Sequence, residues 1–208
     1  MAGVGSGEKL QSLLRVAGQV ELSAPELERF EKYLRLFLLW NGKTNLSAIR
    51  DEDGILARHF VESIACARQL PAGITTLLDF GSGGGFPGVP IAICRPEIAV
   101  TLAESQGKKA IFLQEVVRQL DLKTRVHSRR AEELREEFDC VAMRAVDRMF
   151  EAIPVAAGLV RPAGLLALMS TAGEQQHMQE VAGDGYQWLS PAEITGGEAK
   201  LLLLGRKS

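Results

Sequence analysis

"LLDFGSGGGFPG", residues 77–88, sets five glycines within eight residues directly behind an apolar run that ends in Asp79. A short apolar run bounded by glycine reads as a buried strand, here "TTLLDF" (75–80), followed by a turn into a helix near 89–94. A plain turn does not need backbone this bare. Glycine admits positive φ and lets backbone approach a ligand to contact distance. In an open parallel sheet, ligands bind at the carboxyl ends of strands. The stretch is therefore read as a cofactor loop.

Two cofactor classes compete for it. A dinucleotide site wants G-x-G-x-x-G. Begun at Gly81 and Gly83, that pattern meets Phe86 in place of its third glycine; begun at Gly83 and Gly85, it meets Gly88 but encloses Pro87. No G-K-[ST] follows, which excludes a Walker loop. The second pattern is D-x-G-x-G-x-G, here Asp79, Gly81, Gly83 and Gly85, the signature of class I S-adenosylmethionine-dependent methyltransferases. An acid at the strand end suits the cationic amino group of that donor, and bare backbone lets its methionine portion lie across the strand tips. Both classes want an acid after the second strand for ribose hydroxyls. Glu104 stands there, closing "IAVTLAE" (98–104), with Ser105 beside it. Glu104 supports a nucleoside ligand without choosing between the two.

Upstream, residues 1–7 are Gly/Ser-rich and expected to be disordered, and 8–20 form a short helix. "SAPELERFEKYLRLFLLWN" (23–41) carries a stronger signal. Ser23 and Glu26 make a capping box, Pro25 sits in the first turn, and Leu27, Phe30, Leu34, Phe37 and Leu38 recur at helical spacing. "NGKTNLS" (41–47) reads as a loop, and a third amphipathic helix runs over about 54–70, stopped by Pro71 and Gly73. Downstream, strands at 75–80, 98–104, 124–128, 139–145, 164–170, near 186–190 and near 199–205 alternate with helices at 107–122, about 147–159 and near 173–182. That rhythm predicts an α/β fold: a Rossmann-like, mostly parallel seven-stranded sheet with helices on both faces. The layout is an N-terminal helical extension, 1–70, and an α/β domain, 71–208. The boundary is a change of composition, and a core shared by both parts is compatible with it.

The chain has 208 residues, no apolar run long enough to span a membrane, and no basic-then-apolar leader pattern, so the expected compartment is the cytoplasm. Cys66, Cys94 and Cys140 are widely spaced and odd in number, which predicts buried free thiols rather than disulfides. No Cys/His clustering suggests a metal. The formal net charge of −2 argues against a surface that binds nucleic acid throughout and leaves room for one basic face.

Several segments resemble the small-subunit (16S) ribosomal RNA guanine-N7 methyltransferase family, also called glucose-inhibited division protein B. "FPGVP" (86–90) and "RPE" (95–97) match its F/L-P-G-[IVL]-P and R-P-E; "WNGKTNLSAIRD" (40–51), "RHFVESI" (58–64) and "SQGKKAIFLQEV" (105–116) match three further family segments. "RAEEL" and "MRAV" fall where the family has R-x-E and SRA, and the similarity covers about residues 25–205 in order. The resemblance implies a class I methyltransferase fold with S-adenosylmethionine as donor. It implies N7 of a 16S rRNA guanine as acceptor, on free rRNA or the small ribosomal subunit. By position it assigns Gly81, Phe86, Ala131, Glu132 and Arg144 to cofactor contact and Glu104 to the ribose.

Guanine N7 carries a lone pair and no proton, so direct in-line attack on a methyl sulfonium needs no general base. The sequence agrees: no [DN]-P-P-[FY] follows the fourth strand and no Pro-Cys motif is present. Arg144, at the end of the fourth strand, is the candidate catalytic residue; it faces the site mouth and suits cofactor or phosphate better than N7. Lys108, Lys109, Arg129 and Arg130, with Arg125, form a basic segment for RNA phosphates, which Lys43, Arg50 and Arg58 extend. His59 is expected to be bonded in the seam between the two parts, Asn45 to pin its loop, and Phe37 and Trp40 to be core.

Two departures stand out: Ser170, where the family often has lysine, and Gly84, where proline or alanine is frequent and glycine predicts a more mobile loop. The competing readings are an NAD-dependent oxidoreductase on a related fold and a catalytically inactive RNA-binding relative. No metal or membrane is called for, and a monomer is the default.

Overall fold

The computed structural model describes residues 5–171, 173–194 and 200–208. Residues 1–4, expected to be disordered, and position 199, expected to open the last strand, lie outside these. Ser6 and Gly7 already belong to the first helix, α1 (Ser6–Val16).

Helix α2 (Ala24–Thr44) begins at the capping box, where Glu26 Oε2 accepts from the Ser23 amide at 2.8 Å. It outruns its expected end by a turn, through Gly42 to a left-handed Asn45 at φ 50°. Side-chain bonds explain why glycine fails to stop it. Buried Asn41 donates to the Ile49 carbonyl at 2.9 Å and accepts from the Ser47 amide at 2.8 Å. Asn45 does pin its loop, accepting from Arg50 at 2.5 Å. The third helical stretch has three parts: α3 (Glu52–Ile55), capped by the Asp51 carboxylate; a π-helical segment (Leu56–Val61); and α4 (Glu62–Gln69). The π-helical turn was not legible from residue spacing, because the apolar pattern runs through it unbroken. Arg95, of the R-P-E segment, donates to the Ala67 and Leu70 carbonyls at 3.2 and 2.8 Å and so closes the α4 end.

The remaining elements alternate: β1 (Thr76–Phe80), α5 (Gly88–Cys94), β2 (Ala99–Ala103), α6 (Gly107–Gln119), β3 (Arg125–His127), β4 (Phe138–Arg144), α7 (Met149–Gly158), β5 (Val160–Thr171), α8 (Gln175–Ala182), β6 (Tyr186–Trp188), β7 (Ala192–Glu193) and β8 (Lys200–Lys207). Among the described residues the sheet has eight strands, in the order β3-β2-β1-β4-β5-β8-β6, with β7 paired to β8 off that path. The strand beyond the expected seven is the two-residue β7, too short to show a pattern. Strands β1 to β5 are mutually parallel, and β8 is antiparallel to β5 and β6. Strand order reverses at β1, which has β2 on one side and β4 on the other. Such a switch point opens a crevice above the strand ends.

Alternation along each strand sorts the core into two clusters. Leu77, Cys140, Ala142, Leu165 and Ala167 face one way, against α1 to α6; Leu78, Val141, Met143, Leu166 and Leu168 face the other, against α7 and α8. The first cluster joins Phe30, Tyr33, Phe37, Phe60 and Ile64 to Leu77, Phe86, Val89 and Phe112, so one continuous core crosses position 71.

Candidate cofactor and substrate site

A cavity of about 830 Å³ opens over the ends of β1, β2 and β4. Its floor is the glycine loop. The Ser82 amide donates to the Ala103 carbonyl at 2.9 Å, its hydroxyl donates to the Asp79 carbonyl at 3.0 Å, and the Gly85 amide returns to the Ser82 carbonyl at 2.7 Å. Gly81, Gly83 and Gly85 have φ of 71°, 55° and 94°, a region costly for any side chain. A Cβ on Gly83 would meet nothing nearer than the Gly81 carbonyl at 3.9 Å, so this residue's bare side faces open space. The other glycines are bare for packing. A Cβ on Gly84 would lie 2.7 Å from Phe37, and one on Gly88 2.3 Å from Leu102 and 2.5 Å from Asp79.

Gly81, Gly83, Phe86, Glu104, Ser105, Ala131, Glu132 and Arg144 all line this cavity. Asp79 and Gly85 do not. Asp79 is fully buried beneath the loop, where Oδ2 accepts from the Gly88 amide at 3.0 Å and Oδ1 has no hydrogen-bond partner among the described residues. Burial pushes its pKa up to about 7. An acid that braces the floor in this way has no face toward a ligand. Glu104, 6% exposed at the tip of β2, accepts from the Gly83 amide at 2.9 Å and from the Gln106 amide at 2.7 Å. Each carboxylate oxygen keeps a lone pair for a diol.

Arg144 is not a free cation at the mouth. Its Nη2 donates to Glu62 Oε2 at 2.8 Å and to the Arg58 carbonyl, and its Nη1 donates to His59 Nδ1 at 3.1 Å. Its Nε and second Nη1 hydrogens have no protein partner among the described residues. Since a guanidinium only donates, His59 Nδ1 must accept. The ring proton then sits on Nε2 and donates to Ser47 Oγ at 2.7 Å. Burial, reinforced by the Arg144 charge, lowers the His59 pKa to about 3, so the ring is neutral with both nitrogens engaged. It also stacks on Phe86, centroids 5.0 Å apart. Glu62 is itself buried.

Of the basic residues, Lys109, Arg129 and Arg130 line the cavity; Lys108 is exposed beside them on α6 but is not part of the lining. Arg50 is spent on its own loop, donating to the Asn41 carbonyl and Asn45. Ser170 is buried in β5, donates to the Thr171 carbonyl at 3.0 Å and does not reach the cavity. Cys66 and Cys140 are buried free thiols and Cys94 is a partly buried one; burial raises the Cys66 pKa to about 12. No cluster of His, Cys, Asp or Glu among the described residues is arranged to hold a metal, and none of their helices is long and apolar enough to cross a membrane.

Sequence reasoning missed Tyr33, Asn41, Ser47 and Glu62. The last three lie inside the motif segments, so a signal existed, but only distance assigns them partners. Gly84 reverses its expectation. Its carbonyl accepts from the buried Tyr33 hydroxyl at 2.5 Å, so the loop is pinned where glycine predicted mobility.

Residues 26–187 match the family model described as rRNA small subunit methyltransferase G (GidB). The chain belongs to that family. It is 40% identical over 165 residues to Ribosomal RNA small subunit methyltransferase G of Halorhodospira halophila, covering 78% of each chain. It is 37% identical over 210 residues to the protein of that name from Roseiflexus castenholzii, covering 94% of this chain and 90% of that one. Among solved structures, the O-methyltransferase from Bacillus cereus in complex with SAH is 17% identical with a TM-score of 0.56, covering 85% and 91% of the two chains. That likeness extends the class I methyltransferase fold to this family member, in agreement with the strand order.

Proposed function

We propose that this methyltransferase carries a methyl group from S-adenosylmethionine to N7 of a guanine in small-subunit rRNA, working as a monomer in the cytoplasm. The family match over residues 26–187 carries the reading. Glu104 fits the donor, with a lone pair left on each oxygen for the ribose hydroxyls. The open side of Gly83 leaves room for the methionine portion against backbone. Phe86, Ala131, Ser105 and Glu132 would complete that pocket. The donor supplies a methyl group on a positively charged sulfur.

The acceptor needs no proton removed, and the residues around the cavity agree with this. His59, the only histidine lining the cavity, is neutral and occupied on both nitrogens. The two remaining N–H groups of Arg144 suit an oxygen of the donor carboxylate or a phosphate, while the helical segment fixes the guanidinium in place. Catalysis is then positioning: two reactants held in line, with charge moving from sulfur to base. Lys108, Lys109, Arg129 and Arg130 would meet RNA phosphates at the rim.

The test is transfer of labelled methyl to small subunits and to free rRNA lacking base methylation, followed by digestion to nucleosides. The expected result is label in 7-methylguanosine. Label in another nucleoside would overturn the acceptor, and donor binding without transfer would favour an inactive RNA-binding relative.

A further inference from the structure

The Tyr33 hydroxyl is the one side-chain donor on the glycine loop's outer turn among the described residues, and it comes from a helix 51 residues away. Tyr33 is fully buried, and burial raises its pKa well above the usual phenol value, so it remains a donor at every working pH. Its ring packs on Phe86 at 5.3 Å and on Phe60 at 5.1 Å. The hydroxyl is also what a Cβ on Gly85 would strike, at 2.7 Å. Phe37, one helical turn further along α2, abuts Gly84 from the same side. The loop is therefore bare on both surfaces for different reasons: toward the cavity at Gly83, and toward α2 at Gly84 and Gly85.

We propose that Tyr33 is a positioning residue for donor binding, holding the glycine loop in its binding conformation through the Gly84 carbonyl. This rests on the reading of the cavity as an S-adenosylmethionine site. Around Gly84 the loop passes through three left-handed glycines with few side-chain anchors of its own. Without the hydroxyl, its outer carbonyl loses its partner in a dry setting and the loop samples other conformations. Apparent donor affinity falls in proportion to the fraction of molecules still competent to bind, while the rate at saturating donor is kept.

The experiment compares the whole native chain with Tyr33→Phe and with Phe30→Leu. Phe30 is another fully buried aromatic of α2; it packs on Phe60 and has no hydroxyl to bond the loop. S-adenosylhomocysteine binding by calorimetry is read beside thermal stability and the donor KM and kcat. Tyr33→Phe is expected to weaken binding about fivefold or more and raise donor KM equally, with kcat within about twofold. Phe30→Leu is expected to lower stability without changing affinity per folded molecule. Equal affinity in Tyr33→Phe and the native chain would overturn the inference, as would equal weakening in both variants. If the native chain itself binds no S-adenosylhomocysteine, it is the donor reading that fails.

Discussion

The cavity has two unlike walls. On one side Ser47, His59 and Arg144 line it, backed by the buried Tyr33 and Glu62, and their bonds join residues 51, 12, 85 and 82 positions apart. On the other stand Arg129, Arg130 and Glu132 around a 3₁₀ turn (Ala131–Glu133), all three exposed. Their ties are local: Arg129 pairs with Glu133 at 3.7 Å and the Arg130 carbonyl meets His127 Nε2 at 3.1 Å. The first side spends most of its polar groups on itself, leaving two N–H groups of Arg144, whereas the exposed wall has only local ties. Helices that look like an appendage in the sequence are thus half of the site's architecture. Four perturbations test the contrast.

The sharpest break is Glu62→Ala. It leaves the Arg144 guanidinium largely buried, with side-chain exposure of only 15%, and without its counter-charge. Removing one partner of such a pair costs about 3 kcal/mol or more. Urea denaturation should show that loss, and methyl transfer should fall with it; Glu62→Gln, which keeps a hydrogen-bond acceptor, should lose less of both.

Next is Gly85→Ala. It combines a φ of 94° with a methyl group 2.7 Å from the Tyr33 hydroxyl and 2.8 Å from Val89. Backbone strain of about 1–2 kcal/mol, with the clash added, should cut S-adenosylhomocysteine affinity at least tenfold in a titration.

A third test uses pH. His59 titrates near 3 when folded, below its usual 6.5, so its contribution is complete above pH 6.5 and is lost as pH falls toward 3. Asp79 titrates near 7 when folded, above its usual 3.8, so its contribution is complete below pH 3.8 and is lost as pH rises to 7. The two slopes oppose each other between these limits. Asp79→Asn removes one of them. Its stability relative to the native chain should rise with pH by up to about 1.4 kcal/mol per unit between pH 4 and 7, then stay level. A flat difference across that range would sink the assignment.

The smallest effect on the fold belongs to the exposed wall. Replacing Arg129 and Arg130 together by alanine should change stability by no more than about 0.5 kcal/mol. It should lower the salt-dependence of rRNA binding by about 0.7 per lost phosphate contact on a single strand. A large loss of stability would mean this wall is built like the other.

Much of this was legible in the chain because each signal was local. Asp79, the glycines and Glu104 announce a strand, a loop and a second strand tip by their order alone, and the capping box starts α2 where Ser23 and Glu26 require. What stayed hidden depends on contacts across the chain. Asp79 reads as a ligand-facing acid until the Gly88 amide is seen to face it. Gly84 reads as slack until Tyr33 is placed above it, and Arg144 reads as free until Glu62 and His59 are brought to it. Gly42 could not end α2 because Asn41 had partners beyond the loop. The motif segments marked where such residues cluster but not the bonds they make.

The far edge of the sheet carries a consequence for how the protein is made. Strand β8 lies between β5 and β6, and among the described residues β6 bonds to the sheet only through it. Translation nevertheless delivers β6 first. During synthesis β6 has no place in the sheet until β8 has followed it, whether β8 joins β5 first or pairs with β6 first. The last-made strand is the one that completes this edge. A nascent chain halted before residue 200 would hold the glycine loop and both cavity walls, yet present β5 as an open ladder to any neighbouring chain.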